Sequence, residues 1–99
     1  MNRVEITGRL ARDAELHYTP NGTPVLTIAV EPDVRRAAVD KTSFVDVVQF
    51  GGQAEDGARL KKGQNVSVIG RLEQERWTDN EGRVRSKVRI VARVIDEED

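Results

Sequence analysis

Cysteine is absent from this chain of 99 residues, and histidine occurs once, as His17. A disulfide framework, a thiolate nucleophile and the usual zinc sites are therefore excluded together. Aromatic residues are scarce, with two phenylalanines, one tyrosine and one tryptophan, so the position of each matters. No apolar run approaches the length needed to span a bilayer, and the N-terminal MNRVEITGRL lacks the apolar core of a signal peptide. One small, soluble, intracellular domain is expected, folding without disulfides or metal but with little stability to spare. No cofactor and no membrane partner are expected. An enzyme fares badly, because the single histidine has no evident partner and the carboxylates are scattered without metal-ligand spacing.

Charge is present in quantity and nearly balanced. The formal net charge is −1, but Asp96 to Asp99 hold four of the 17 acidic residues, and without them 16 basic residues face 13 acidic ones, a net of +3. Such a body binds polyanions weakly or merely stays soluble, and the totals do not separate the two.

Alternation of apolar residues dominates and predicts strands. Val4, Ile6 and Leu10 share one parity, with Gly8 between them, and form a half-buried first strand. TPNGTP supplies turn chemistry before a second strand, Val25 to Val30, whose buried row is Leu26, Ile28 and Val30. Glu31 to Lys41 contains Pro32 and no sustained period, and reads as a mobile connection bearing Arg35 and Arg36. Ser43 to Phe50, SFVDVVQF, is apolar on both faces, so its second face is covered or used for binding. A short helix is predicted between Gln53 and Lys62, weakened by Gly57 and stopped by Gly63. Val66 to Trp77 and Arg83 to Ile95 complete five strands. The order β-β-β-α-β-β is that of an OB-fold, an all-β Greek-key barrel whose exposed face and loops bind oligonucleotides or oligosaccharides. The helix position favours it over an SH3-like barrel. The domain is expected over residues 1–95, with 96–99 as a short acidic end.

The last two strands can be registered from their turn. Asp-Asn-Glu-Gly at 79–82 suits a type I turn followed by a left-handed glycine, which sets Asp79 against Arg83, Trp77 against Arg85, Glu75 against Lys87, Glu73 against Arg89, Leu72 against Ile90 and Val68 against Val94. One face is then apolar, as a barrel interior requires, and the other carries tryptophan and charge. Lys87 and Arg89 read chiefly as partners of Glu75 and Glu73 across the ladder. Arg83 and Arg85, near the tip and beside an outward indole, read as ligand-binding.

Four segments, MNRVEITGRLARDAELHYTPNGTPV, SFVDVVQFGGQAE, LKKGQNVSVIGRL and RWTDNEG, come in order over most of residues 1–95. In them the chain resembles the bacterial single-stranded DNA-binding proteins of the OB-fold type. These proteins are themselves the reference case for sequence-tolerant single-strand binding by stacking and electrostatics. The resemblance implies single-stranded DNA as partner, roles in replication, recombination or repair, a bacterial cytoplasmic and nucleoid-associated location, and a homo-oligomer, with a tetramer ahead of a dimer. It implies base stacking by Phe44, Phe50 and Trp77; Arg83, Arg85, Arg35, Arg36 and Arg71 are the cations expected to meet the phosphates. On residue pattern alone, Phe44 and Phe50 are expected in the core, whereas Trp77 beside a turn points to binding even without the resemblance. Tyr18 reads as structural, and His17 as a surface or subunit-contact residue.

Several departures point to weaker, more salt-sensitive binding. EPDVRRAAVDK lacks the aromatic many members carry there, Gly52 replaces a common lysine, and Glu73, Glu75 and Asp46 add negative charge to the binding face. IDEED ends the sequence without the linker and apolar-tipped tail that recruit other proteins. The second reading is an interaction protein similar to the primosomal OB-fold proteins of replication restart. Glycan binding by the same fold stays open on composition.

Overall fold

The computed structural model describes residues 1–33 and 43–98. Its strands are β1 (Val4–Leu10), β2 (Glu15–Tyr18), β3 (Pro24–Pro32), β4 (Val45–Phe50), β5 (Asn65–Thr78) and β6 (Val84–Glu98), with one helix, α1 (Gly52–Asp56), between β4 and β5. They form one sheet in the order β1-β5-β6-β4-β3-β2, and β1 also pairs with β3, so that five strands close into a ring with β2 on its flank. The arrangement is the OB-fold barrel that the order of elements predicts.

Closure depends on Gly8. There β1 leaves β5 on one side and meets β3 on the other, with Gly8 opposite both Val66 and Pro32. A Cβ on Gly8 would lie 2.1 Å from the Glu31 carbonyl oxygen, so only a residue without a side chain admits this approach. Inside the ring, Leu10, Leu26, Ile28, Val30, Val47, Val66, Val68 and Ile90 are fully buried, and they include the row predicted for the second strand. Fully burying such side chains contributes roughly 1.5–3 kcal/mol each against leaving them exposed.

Two differences from the predicted elements have local causes. The four residues ELHY pair with β3 as an edge strand, and their short run carries too little alternation to be read alone. The Thr19 to Thr23 turn that joins them repeats the geometry of the Asp79 to Arg83 turn: a glycine at positive φ, Gly22 or Gly82, whose N–H donates to the first residue's carbonyl, and a first-residue N–H that donates to the last residue's carbonyl. The helix is shorter than predicted. It starts at Gly52, after Gly51 as an N-cap with no side chain to offer, and ends at Asp56, after which Gly57–Arg59 forms a single tighter turn. At Gly57 the backbone passes so close to Leu26 that a Cβ would meet its methyl group at 2.3 Å. Lys61 and Lys62 lie beyond the helix, in a turn where the Lys62 N–H donates to Asp13 Oδ1 at 2.8 Å and the Gly63 N–H to the Leu10 carbonyl at 2.8 Å.

The final hairpin follows the predicted register from Thr78–Val84 down to Gly70–Ala92. Beyond it Arg93 is an extra residue, Ile69 faces Val94, and Val68 faces Ile95 rather than Val94. This bulge sits where a Cβ on Gly70 would lie 2.2 Å from the Val91 carbonyl oxygen. The face predicted to be interior is interior only near Val68 and Ile90. Leu72, Val84 and Val88 are exposed, because the hairpin arm extends past the end of the barrel. Among the described residues, no helix is long and apolar enough to cross a membrane, and no cluster of His, Asp or Glu is arranged to hold a metal.

Candidate nucleic-acid interface

Register places one continuous outer surface across four strands. Thr27 on β3 faces Val48 on β4, Val48 faces Val91 on β6 in a parallel pairing, and Val91 faces Arg71 on β5. Side chains two residues along each strand therefore share that surface. It carries Asp46 and Phe50 from β4, with Phe44 just before it, Arg85, Lys87 and Arg89 from β6, and Arg71, Glu73, Glu75 and Trp77 from β5.

Phe44, Phe50 and Trp77 are 50%, 47% and 44% exposed. The expectation that pattern alone would place the two phenylalanines in the core is thus corrected: the even-numbered side chains of β4 face outward, and its odd-numbered ones, such as Val47, fill the barrel. Half-exposed rings on a sheet face offer flat π-surfaces to planar ligands.

Between them lies an ion-pair network. Six basic side chains, Arg12, Arg71, Arg83, Arg85, Lys87 and Arg89, each lie within 4 Å of at least one of five carboxylates, Asp46, Glu73, Glu75, Asp79 and Glu81. Arg89 is the most shielded. It donates to Glu73 Oε1 from Nε at 3.1 Å and from Nη2 at 2.7 Å, and its Nη1 stands 3.7 Å from Glu75. Lys87 does not engage Glu75 opposite it. Its Nζ donates at 2.9 Å to Asp46 Oδ2 on the neighbouring strand.

At the hairpin tip, Asp79 holds the turn. Its Oδ1 accepts from the Glu81 and Arg83 N–H groups, both at 2.9 Å, and its Oδ2 accepts from Arg85 Nε at 2.9 Å. The hydrogen bond from Arg85, followed by the Arg83 backbone N–H, holds this carboxyl below the usual aspartate range. Arg83 also donates to Glu81 at 2.7 Å. Arg85, which has no acid directly opposite, thus finds one diagonally across the turn.

The remaining sequence-derived candidates divide clearly. Arg71 is exposed, 3.8 Å from Glu73, and belongs to the same surface. Arg35 and Arg36 lie outside the described residues. The Tyr18 hydroxyl donates to Glu55 Oε2 at 3.1 Å, tying β2 to α1, and this contact raises its pKa. His17 is exposed, 3.5 Å from Glu15.

Arg12 escaped the sequence reading. From the β1–β2 connection it reaches over Phe44, its Cζ 5.5 Å from the ring centroid, and stands 3.8 Å from Asp46 Oδ1. With Thr27, Val48, Lys87, Arg89 and Glu75, these residues line a groove of about 450 Å³. Nothing local in ARDAE signals this reach, which follows from the barrel bringing that connection beside the start of β4.

Residues 1–97 match the model of the single-strand binding protein family. A single-stranded DNA-binding protein of Thermus thermophilus is 41% identical over 93 residues, covering 93% of this chain and 35% of that protein. One from Aquifex aeolicus is 42% identical over 98 residues, covering 93% and 66%. The crystal structure of wild-type single-stranded DNA binding protein from Thermus aquaticus aligns with a TM-score of 0.80 at 29% identity, over 100% of this chain and 41% of that one. This chain spans 35% of the Thermus thermophilus relative and 66% of the Aquifex aeolicus one.

Proposed function

The chain belongs to the single-strand binding protein family, and on that premise we propose that it binds single-stranded DNA without marked sequence preference, serving replication, recombination or repair. The observation that carries this reading is the half-exposure of Phe44, Phe50 and Trp77 on one sheet face interleaved with basic side chains. Bases stack on the rings whatever their identity, at about 1–3 kcal/mol per base, while cations meet the phosphates. Binding is the whole of the activity proposed, with no chemical step. Phe44, Phe50, Trp77, Arg71, Arg83 and Arg85 are the proposed contacts, joined by Arg35 and Arg36. The proposed assembly is a homo-oligomer, a tetramer ahead of a dimer, in the bacterial cytoplasm with the nucleoid.

Titration with oligo-dT at low salt tests the function. Binding that quenches Trp77 fluorescence and fades with added salt is expected, and no response at low salt would favour the interaction protein instead. Trp77→Ala and Phe50→Ala should each cost about 1–3 kcal/mol of binding with folding preserved. Loss of folding in Phe50→Ala would return that ring to a packing role.

A further inference from the structure

The groove beside Phe44 already contains an anion. Asp46 pairs with two cations through its two oxygens, Lys87 at 2.9 Å from Oδ2 and Arg12 at 3.8 Å from Oδ1, while the Arg12 guanidinium lies over the Phe44 ring. Arg89, the third cation of the groove, is held by Glu73 and Glu75. Thr27 and Val48 also line the groove. A carboxylate held by an ammonium group and a guanidinium satisfies the same donors that a phosphodiester oxygen would. The aromatic ring beside it supplies the face on which the attached base would lie.

We propose that Arg12 and Lys87 form a phosphate subsite beside Phe44 which Asp46 fills in the free protein, so that a bound strand must compete with this carboxylate. The proposal rests on the DNA-binding reading and adds to it a contact residue, Arg12, and an internal competitor, Asp46. Arg12 serves twice: its guanidinium lies over part of the Phe44 ring within cation–π range, leaving the ring half-exposed, and it presents N–H groups to the position a phosphate would take. Asp46 keeps both cations collected there, but subtracts one charge from what the strand encounters.

Charge counting gives distinct outcomes. With Arg12, Lys87 and Asp46 together, the subsite neutralises about one phosphate; without the carboxylate about two; without Arg12 about none. Salt-dependent titration with dT oligomers should therefore show Asp46→Asn binding up to about fivefold tighter, the range of an exposed ion pair that no longer competes. Its log–log salt slope should be steeper by about 0.7. Arg12→Gln should bind more weakly with a slope shallower by about 0.7, and the double variant should return to the wild-type slope. Glu5→Gln removes the same charge from β1, where Glu5 pairs with Arg3, and serves as the control. An Asp46→Asn protein that matches this control in slope and affinity overturns the proposal. If Asp46→Asn lowers the melting temperature, Arg12→Gln on its exposed connection decides alone, and an unchanged slope overturns it. No binding by the wild type at low salt removes the DNA-binding reading itself, whereas wild-type binding with these slopes unmoved removes only the subsite.

Discussion

Asp79 shows how one side chain shapes the tip that carries Arg83 and Arg85. Its carboxylate closes the turn through two backbone N–H groups and also orients Arg85. A carboxyl whose folded pKa lies below its unfolded value stabilises the fold above the unfolded pKa of about 3.9, and that contribution is lost as pH falls through the lowered folded value. An NMR titration of the Asp79 carboxyl should show a midpoint below about 3.9, and Arg85→Ala should raise it. A midpoint insensitive to Arg85→Ala would assign the shift to the backbone bonds alone. At physiological pH the tip is thus already set, with Arg85 angled toward the turn, before any ligand arrives.

The final hairpin is the element most legible in the sequence, because its turn chemistry is local. Asp-Asn-Glu-Gly fixes the ladder from the tip inward, and each predicted pair holds as far as Gly70. The register then slips by one residue at Arg93, where the cause is a close approach of two backbones inside a closed barrel, which no local pattern encodes. Gly70→Ala places a Cβ 2.2 Å from the Val91 carbonyl, and a destabilisation of about 1–3 kcal/mol is expected by denaturant unfolding. Gly52→Ala, with nothing within 4 Å and no positive φ, should be near neutral. Equal effects of the two would deny the bulge its steric origin. Other misses share that non-local character. The ladder puts Lys87 opposite Glu75, yet its partner Asp46 lies on β4, 41 residues away, through a parallel contact between β4 and β6. The outward turn of Phe44 and Phe50 depended on which face of an apolar strand the barrel claimed, and the residues alone left that open.

On the scale of the whole molecule, the paired charges revise one expectation. Added carboxylates on the binding face suggested weaker and more salt-sensitive binding. The salt slope, however, follows the number of phosphates neutralised, and a face whose cations already hold carboxylates neutralises fewer. Weaker binding remains the expectation, now with a shallower slope than an unpaired face would give. Mass measurement in solution bears on assembly: a tetramer is expected from the family premise, and a dimer would favour the interaction-protein reading.

The closure of the barrel also has a temporal side. Its first strand, Val4–Leu10, pairs with residues 65–70, and β4 pairs with β6, whose core residue Ile90 is near the far end of the chain. Most contacts therefore join distant parts of the sequence, which places refolding in the millisecond-to-second range rather than among fast helical bundles. During synthesis, a nascent chain that has reached residue 80 holds β1 to β5, the newest part still inside the ribosome, with no β6 to seal them. The growing chain must stay unfinished, its apolar rows uncovered, until the last strand emerges.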